Sequence, residues 1–299
     1  QMKSLLGREF GQRSVEKKEK DLQADALNEY IKYGKNSSYL NRLSNQEIME
    51  LTVTSLAAAF IKATQFETSV HYTGKYPVEE VKKILTKNLV FQSDLKPSAS
   101  PISLPLEEYS ENTIFLVNNK NARQSDIFLF RPGIEFSKDD KSRIDAFNQY
   151  FGGGFNGLVL QQLRELQSLA YTASANYSIP PLEGYRSMFT AYIGTQADKT
   201  LDAVSGYMTL INNMPQYPER LTNIRDFLNQ TIVTASPSFR YRTMLVENWM
   251  RNGYSLDPRI KWKEEYSSLT FEDVYEFYNL QLKDKPVAIG IVVNTKNID

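Results

Sequence analysis

The sequence contains no cysteine and only one histidine, His71. Without cysteine, the chain cannot form a disulfide, present a thiolate nucleophile or bind zinc through sulfur. A hydrolytic zinc site normally uses three protein ligands that include two histidines, and the sequence has no His-x-x-Glu-His motif. It also lacks a Gly-x-x-x-x-Gly-Lys-Ser/Thr phosphate loop and a nucleophile turn that could pair with His71. We therefore expect no metal site and no hydrolytic activity in this chain alone, and we interpret His71 as a half-buried strand residue.

Neither sign of charge is in excess, because 35 Lys and Arg residues balance 35 Asp and Glu residues. Such a chain has no global field that would favour nucleic acid or an anionic membrane as a partner. The longest apolar runs, Leu56–Ile61 and Val287–Val293, are far shorter than the roughly 20 residues of a membrane helix. The first residues lack the apolar segment of a signal peptide, and a start at Gln1 suggests a piece of a longer protein. We expect a soluble chain, and its compartment stays open.

An internal repeat is the main sign of domain organisation. Leu43–Leu51 aligns with Leu269–Phe277, and in both segments a Ser or Thr precedes acidic residues and helically spaced apolar residues. A β-branched stretch follows each segment, at Thr68–Thr73 and at Val287–Val293, and we predict a strand at both places. The order of these matches indicates two related domains, the first of which lacks its opening strands.

The repeat gives three predicted regions in the 299 residues. Residues 1–91 form the C-terminal part of a truncated first domain, and residues 113–299 form a complete second domain. Residues 92–112 contain three prolines among serines, which is typical of an extended linker.

The complete domain shows strands in pairs with helices grouped between them. This order predicts an α+β sandwich with a mixed, largely antiparallel sheet and helices packed on one face. The predicted strands are Thr113–Val117, Ser125–Phe130, Tyr171–Tyr177, Arg186–Ile193 and Val287–Val293, and the predicted helices start near Ser137, Asn156, Asp198, Pro218, Arg240 and Thr270.

The most informative run extends from Phe147 through three glycines to Phe155, and continues with Leu163-Arg-Glu-Leu-Gln-Ser-Leu-Ala-Tyr171. These residues resemble the C-terminal half of zinc metallopeptidases of the pitrilysin/insulysin family, the inverzincins whose fold is like that of the mitochondrial processing peptidase. In that family a helix–glycine–helix unit leads to a Leu-Arg-Glu…Leu-Gly/Ala-Tyr motif that enters a strand. The end of the first repeat looks like the end of a neighbouring domain of the same type.

The resemblance implies an asymmetric division of roles. The family's zinc lies in the N-terminal half at a His-x-x-Glu-His motif, so the implied partner of this chain is a zinc-bearing half, in the same chain or a separate subunit. The C-terminal half closes over that site and supplies an arginine and a tyrosine to a peptide substrate, which correspond by motif to Arg164 and Tyr171 here. Neither nucleic acid nor a membrane is an implied partner.

Two questions stay open on the sequence. Gly152, Gly153 and Gly154 either end a helix with a left-handed cap or form a flexible loop that contacts substrate. The chain itself is either the lid half of a peptidase, an inactive scaffold or partner subunit of the same fold, or a module that binds peptides at an exposed sheet edge.

Overall fold

A computed structural model of the chain describes residues 7–8, 11, 21–88, 94–97, 103–235 and 237–298. The chain divides into two compact units, a smaller one of residues 1–13, 43–103 and 236–255 and a larger one of residues 14–42, 104–235 and 256–299. The described helices are α1 (Asp21–Tyr33), α2 (Ser38–Asn41), α3 (Asn45–Glu50), α4 (Val53–Ala63), α5 (Val78–Asn88), α6 (Lys141–Phe151), a π-helix (Leu160–Leu166), α7 (Thr200–Asn212), α8 (Leu221–Thr234), α9 (Arg242–Arg251), α10 (Arg259–Ser268) and α11 (Phe271–Gln281). The strands are β1 (Thr113–Asn118), β2 (Gln124–Glu135), β3 (Thr172–Tyr177), β4 (Arg186–Gln196) and β5 (Ala288–Val293).

The larger unit is built on one five-stranded sheet with the strand order β1-β5-β2-β4-β3. β1 and β5 pair in parallel, and the other three neighbouring pairs are antiparallel. β5 lies between β1 and β2 and is buried along its whole length, which explains its continuous run of small and β-branched residues. The predicted α+β sandwich with a mixed, mostly antiparallel sheet is confirmed.

Aromatic side chains fill the space between the sheet and its helical layer. Phe147 and Phe151 of α6 stack on each other, and Phe277 of α11 packs against Phe147. The ring of Tyr177, at the end of β3, meets Phe277 edge-on with 4.9 Å between centroids. Because these rings are at most 4% exposed, they join α6, α11 and β3 into one core.

α1 adds a feature that the sequence pattern does not show. Its residues Leu27 and Ile31 pack on the opposite face of the sheet, against Phe130 of β2 and Val292 of β5. The hydroxyl of Tyr109 donates to the carbonyl of Ile31 at 2.8 Å and ties α1 to the segment before β1. One helix thus covers part of the face opposite the main helical layer.

The smaller unit contains α3, α4, α5 and α9. A capping box at Ser44 and Glu47 starts α3, and the matching box at Thr270 and Asp273 starts α11, as the repeat predicts. No helix in the described ranges is both long and apolar enough to cross a bilayer.

The prediction of a strand at Thr68–Thr73 is wrong. The residues of this stretch are exposed and belong to no helix or strand, and the nearest strand-like contact is a single bridge between Phe66 and Lys96. β-branched residues favour a strand only when a partner strand binds their backbone groups. This stretch pairs with no strand in the described ranges. The half-buried strand position predicted for His71 is therefore wrong as well.

Two further differences concern helices. The segment that follows the glycines is a π-helix at Leu160–Leu166 instead of a regular α-helix, although its Leu158 and Leu163 are buried as predicted. The sequence pattern does not indicate α10, which has a single buried residue, Tyr266. The described parts of the predicted linker, residues 94–97 and 103–112, hold no helix or strand of their own beyond the bridge at Lys96. The limits of the truncated repeat, the linker and the complete domain stay a prediction.

The Tyr177 hydroxyl joins three elements of the larger unit. It donates to Gln281 Oε1 at 3.1 Å and accepts from the backbone N–H of Ile134 at 3.2 Å. Tyr177→Phe should lower the free energy of unfolding by about 1–3 kcal/mol, because it leaves the buried Gln281 amide oxygen without a partner. The measurement is urea denaturation of the 299-residue chain. Tyr171→Phe, at an exposed position of the same unit, is the control and should change stability by less than about 0.5 kcal/mol; an equal loss in both variants would contradict the argument.

Candidate functional site

Arg164 lies on the solvent side of the π-helix. Leu160 and Leu163 face the core and fix this helix, while the Arg164 side chain is 44% exposed. Its Nε atom lies 3.5 Å from Oε1 of the neighbouring Glu165, which is more exposed still. A surface pair of this kind contributes little to stability, so the guanidinium is available to a ligand.

The turn after the π-helix has a fixed conformation. The backbone N–H of Leu169 donates to the carbonyl of Leu163 at 2.8 Å, and that of Ser168 donates to the carbonyl of Arg164 at 3.1 Å. Ser168 itself has a positive φ of 52°, an unfavourable conformation for a residue with a side chain. The Lys199 ammonium donates to the Ser168 carbonyl at 3.1 Å and helps to hold the turn.

Tyr171 follows this turn at the entrance to β3. Its backbone N–H donates to the carbonyl of Gly194 on β4 at 2.9 Å, so the sheet fixes its main chain. The side chain is 52% exposed, and its hydroxyl accepts a hydrogen bond from Gln196 Nε2 at 3.0 Å. The structure thus places Arg164 and Tyr171 at the two ends of one rigid turn, both with exposed polar groups.

The first two glycines of the triplet are explained by close packing. A Cβ atom on Gly152 would lie 2.0 Å from the carbonyl oxygen of Ala175 in β3, and one on Gly153 would lie 2.2 Å from that of Gln149. Gly152 ends α6 through its N–H bond to Asn148, with a φ of −108°. It is therefore no left-handed cap, and what requires glycine there is the contact of a helix end with a strand.

Gly154 differs from its two neighbours. It has a φ of 61° and open space where a Cβ atom would lie. The next residue, Phe155, is 79% exposed at the tip of the loop. The exposed part of the predicted substrate loop therefore begins at Gly154.

His71 belongs to the smaller unit and pairs with α9. Its Nε2 atom lies 2.5 Å from Glu247 Oε2, and Arg251 donates to the other carboxylate oxygen at 2.7 Å. Desolvation raises the pKa of Glu247, but Arg251 and His71 outweigh it and hold this pKa below its usual value. Within the described ranges, no group of three or more His, Asp or Glu side chains is arranged to bind a metal ion.

Comparison with known proteins gives the following matches. Residues 68–228 match the family model described as the peptidase M16 inactive domain. The crystal structure of a peptidase M16 inactive domain from Pseudomonas fluorescens is similar in fold, with a TM-score of 0.72 and 15% identity over 98% of this chain and 70% of that chain. The periplasmic protease PqqL from Escherichia coli gives a TM-score of 0.64 and 14% identity, over 98% of this chain and 32% of PqqL.

A chain of complex III2 from Candida albicans, in a structure with Inz-5 bound, also has this fold, with a TM-score of 0.64 and 9% identity over 96% of this chain and 70% of that one. The chain studied here therefore spans about a third of PqqL and 70% of the other two proteins. No curated protein sequence is significantly similar to it.

The different surroundings of Gly152 and Gly154 lead to a prediction that separates the cost of a steric clash from the cost of an unfavourable backbone conformation. Gly152→Ala should destabilise the larger unit by about 3 kcal/mol or more, the upper end for an overpacked site, because the Ala175 carbonyl must move out of the way. Gly154→Ala should cost only about 1–2 kcal/mol, the typical strain of alanine in the left-handed region without a steric clash. Urea denaturation of both variants makes the comparison, and a larger loss for Gly154→Ala would refute the packing argument.

Proposed function

Because this chain belongs to the peptidase M16 inactive-domain family, whose model matches more than half of it, we propose that it is the non-catalytic C-terminal half of a zinc metalloendopeptidase. In this proposal it closes over the zinc site of the N-terminal half and presents Arg164 and Tyr171 to a peptide substrate. The observation that carries the proposal is the exposure of both side chains at the ends of one hydrogen-bonded turn. Donors on a rigid scaffold are suited to transition-state binding, because they need little reorganisation during the reaction.

The chemistry follows from the two side chains. Zinc bound in the other half supplies the Lewis acid that activates water for peptide hydrolysis. Arg164 and Tyr171 of this chain donate hydrogen bonds to the substrate carbonyl oxygen, whose negative charge grows as the water attacks. The guanidinium offers charged N–H donors, and the phenol offers an O–H donor.

The glycine loop belongs to the same proposal. Gly152 and Gly153 keep the end of α6 close to β3, and the loop tip at Gly154 and Phe155 is the part that contacts substrate. An exposed phenylalanine on such a tip suits an apolar substrate side chain.

An inactive scaffold or partner subunit is the second candidate. The similarity to a chain of complex III2 favours it, because that protein is part of a larger assembly. The two candidates differ in the rest of the molecule: a peptidase requires a zinc-binding half with a His-x-x-Glu-His motif, and a scaffold does not.

The peptidase proposal is tested in the assembly that contains both halves. Arg164→Ala combined with Tyr171→Phe should lower kcat for an unstructured peptide by about ten- to a thousandfold, because both variants remove a donor to the developing charge. Glu165→Ala keeps the guanidinium, and Tyr241→Phe removes an exposed hydroxyl of the smaller unit. Both controls should leave kcat unchanged.

Two outcomes would count against the proposal. Wild-type turnover in the double variant would remove the role of Arg164 and Tyr171. No cleavage by the wild-type assembly, with zinc added, would favour the scaffold.

A further inference from the structure

A cleft of about 280 Å³ opens in the larger unit beside the glycine loop. Its walls come from the end of α6, the loop before the π-helix, the π-helix itself and the first turns of α8. The lining residues are Gln149, Tyr150, Asn156, Gln161, Arg220, Asn223, Ile224 and Phe227. None of them belongs to the predicted site.

Arg220 is the charged group of this cleft, and its position is fixed on three sides. Its Nη2 donates to Gln161 Oε1 at 2.7 Å, and its Nη1 donates to the carbonyl of Asn156 at 3.3 Å. The guanidinium also lies over the ring of Tyr217, 4.5 Å from its centroid. All three partners are neutral, and Arg220 forms no ion pair within the part of the chain that the structure describes.

The walls around this cation are rigid and uncharged. Tyr150 is buried, and its hydroxyl donates to the carbonyl of Pro215 at 2.7 Å and accepts from the N–H of Tyr217 at 2.9 Å. Burial raises the pKa of Tyr150 to about 12, so this wall stays neutral at physiological pH. The carboxylates nearest in sequence, Glu219 and Asp226, are not among the lining residues.

The cleft also has an apolar wall, formed by Ile224 and Phe227. Ile224 is buried and Phe227 is half exposed, one turn apart on α8. The side-chain amides of Gln149, Gln161 and Asn223 also line the cleft and offer hydrogen bonds to a peptide backbone. The volume is just below the roughly 300–1,000 Å³ of sites for drug-sized ligands, which limits the occupant to one or two residues.

We propose that this cleft binds a peptide carboxylate next to an apolar side chain, with the carboxylate on Arg220 and the side chain on Ile224 and Phe227. Arginine suits this role because its fork of N–H groups matches the geometry of a carboxylate. The inference rests on the proposed function, since it assigns the cleft to the same peptide substrate that Arg164 and Tyr171 contact. The carboxylate is either the C-terminus of the peptide or an acidic side chain within it.

Fluorescence anisotropy with the 299-residue chain tests the proposal directly. Three N-terminally labelled peptides serve as probes: Gly-Ser-Gly-Leu with a free C-terminus, the same peptide as its C-terminal amide, and the amide of Gly-Ser-Glu-Leu. The first or the third should bind with a dissociation constant of about 0.1–1 mM, at least about tenfold tighter than the uncharged amide. Which of the two binds identifies the source of the carboxylate.

Variants test whether the cleft is responsible for the preference for a peptide with a carboxylate. Arg220→Gln should abolish the preference for the carboxylate peptide, whereas the charge-matched Lys120→Gln, at an exposed position elsewhere, should keep it. Asn223→Asp leaves the contacts of Arg220 intact and places a negative charge in the cleft, which repels the carboxylate of the peptide. This variant should weaken binding of the carboxylate peptide by about tenfold and leave binding of the amide unchanged. If Arg220→Gln lowers the melting temperature, its loss of binding reflects unfolding, and the Asn223→Asp result is then the one that tests the proposal.

Equal affinity for all three peptides, or an unchanged preference in a folded Arg220→Gln or Asn223→Asp variant, overturns the proposal. Such a failure leaves the role of Arg164 and Tyr171 untouched, because binding is measured here without the zinc-bearing half. Conversely, a carboxylate preference together with wild-type turnover in the Arg164/Tyr171 double variant supports the cleft and refutes the proposed function.

Discussion

The backbone hydrogen bonds at the two ends of the turn between the π-helix and β3 determine where the candidate site lies. At one end, the N–H of Leu169 reaches the carbonyl of Leu163, whose side chain is buried. At the other, the N–H of Tyr171 pairs with Gly194 on β4, so the turn ends in register with the sheet. Burial of Ala173 and Tyr177 fixes that register, because a shift of one residue would turn both side chains out of the core. The exposure of Arg164 and Tyr171 thus depends on the packing of the whole sheet.

Much of the fold is predictable because its signals are local. The cap at Thr270, the periodicity of the helices and the paired strands all depend on residues close together in sequence, and the structure agrees with them. The predicted strand at Thr68–Thr73 failed because pairing depends on a distant partner. The helix at Arg259–Ser268 was missed because it has one buried residue, Tyr266, and hence almost no apolar periodicity.

The candidate site is likewise predictable only where its residues are close together in sequence. Arg164 and Tyr171 stand in one short motif, so a resemblance was enough to select them. The reason for Gly152, at the end of a helix, involves the carbonyl of Ala175 on strand β3, and no local pattern reveals it. The cleft around Arg220 draws its walls from segments about 60 residues apart, and its residue types are common on any surface. Sequence reasoning therefore selects a contiguous motif and misses a site that only packing brings together.

The two sets of contacts act at different stages of binding and reaction. The carbonyl oxygen that Arg164 and Tyr171 are proposed to contact gains charge on the way to the transition state, so these contacts grow stronger and raise kcat. A carboxylate on Arg220 keeps the same charge throughout, so its contact stabilises substrate and transition state equally and lowers KM alone. Under the two proposals, this chain therefore contributes to both constants, through a rigid turn that binds changing charge and a separate cleft that binds constant charge.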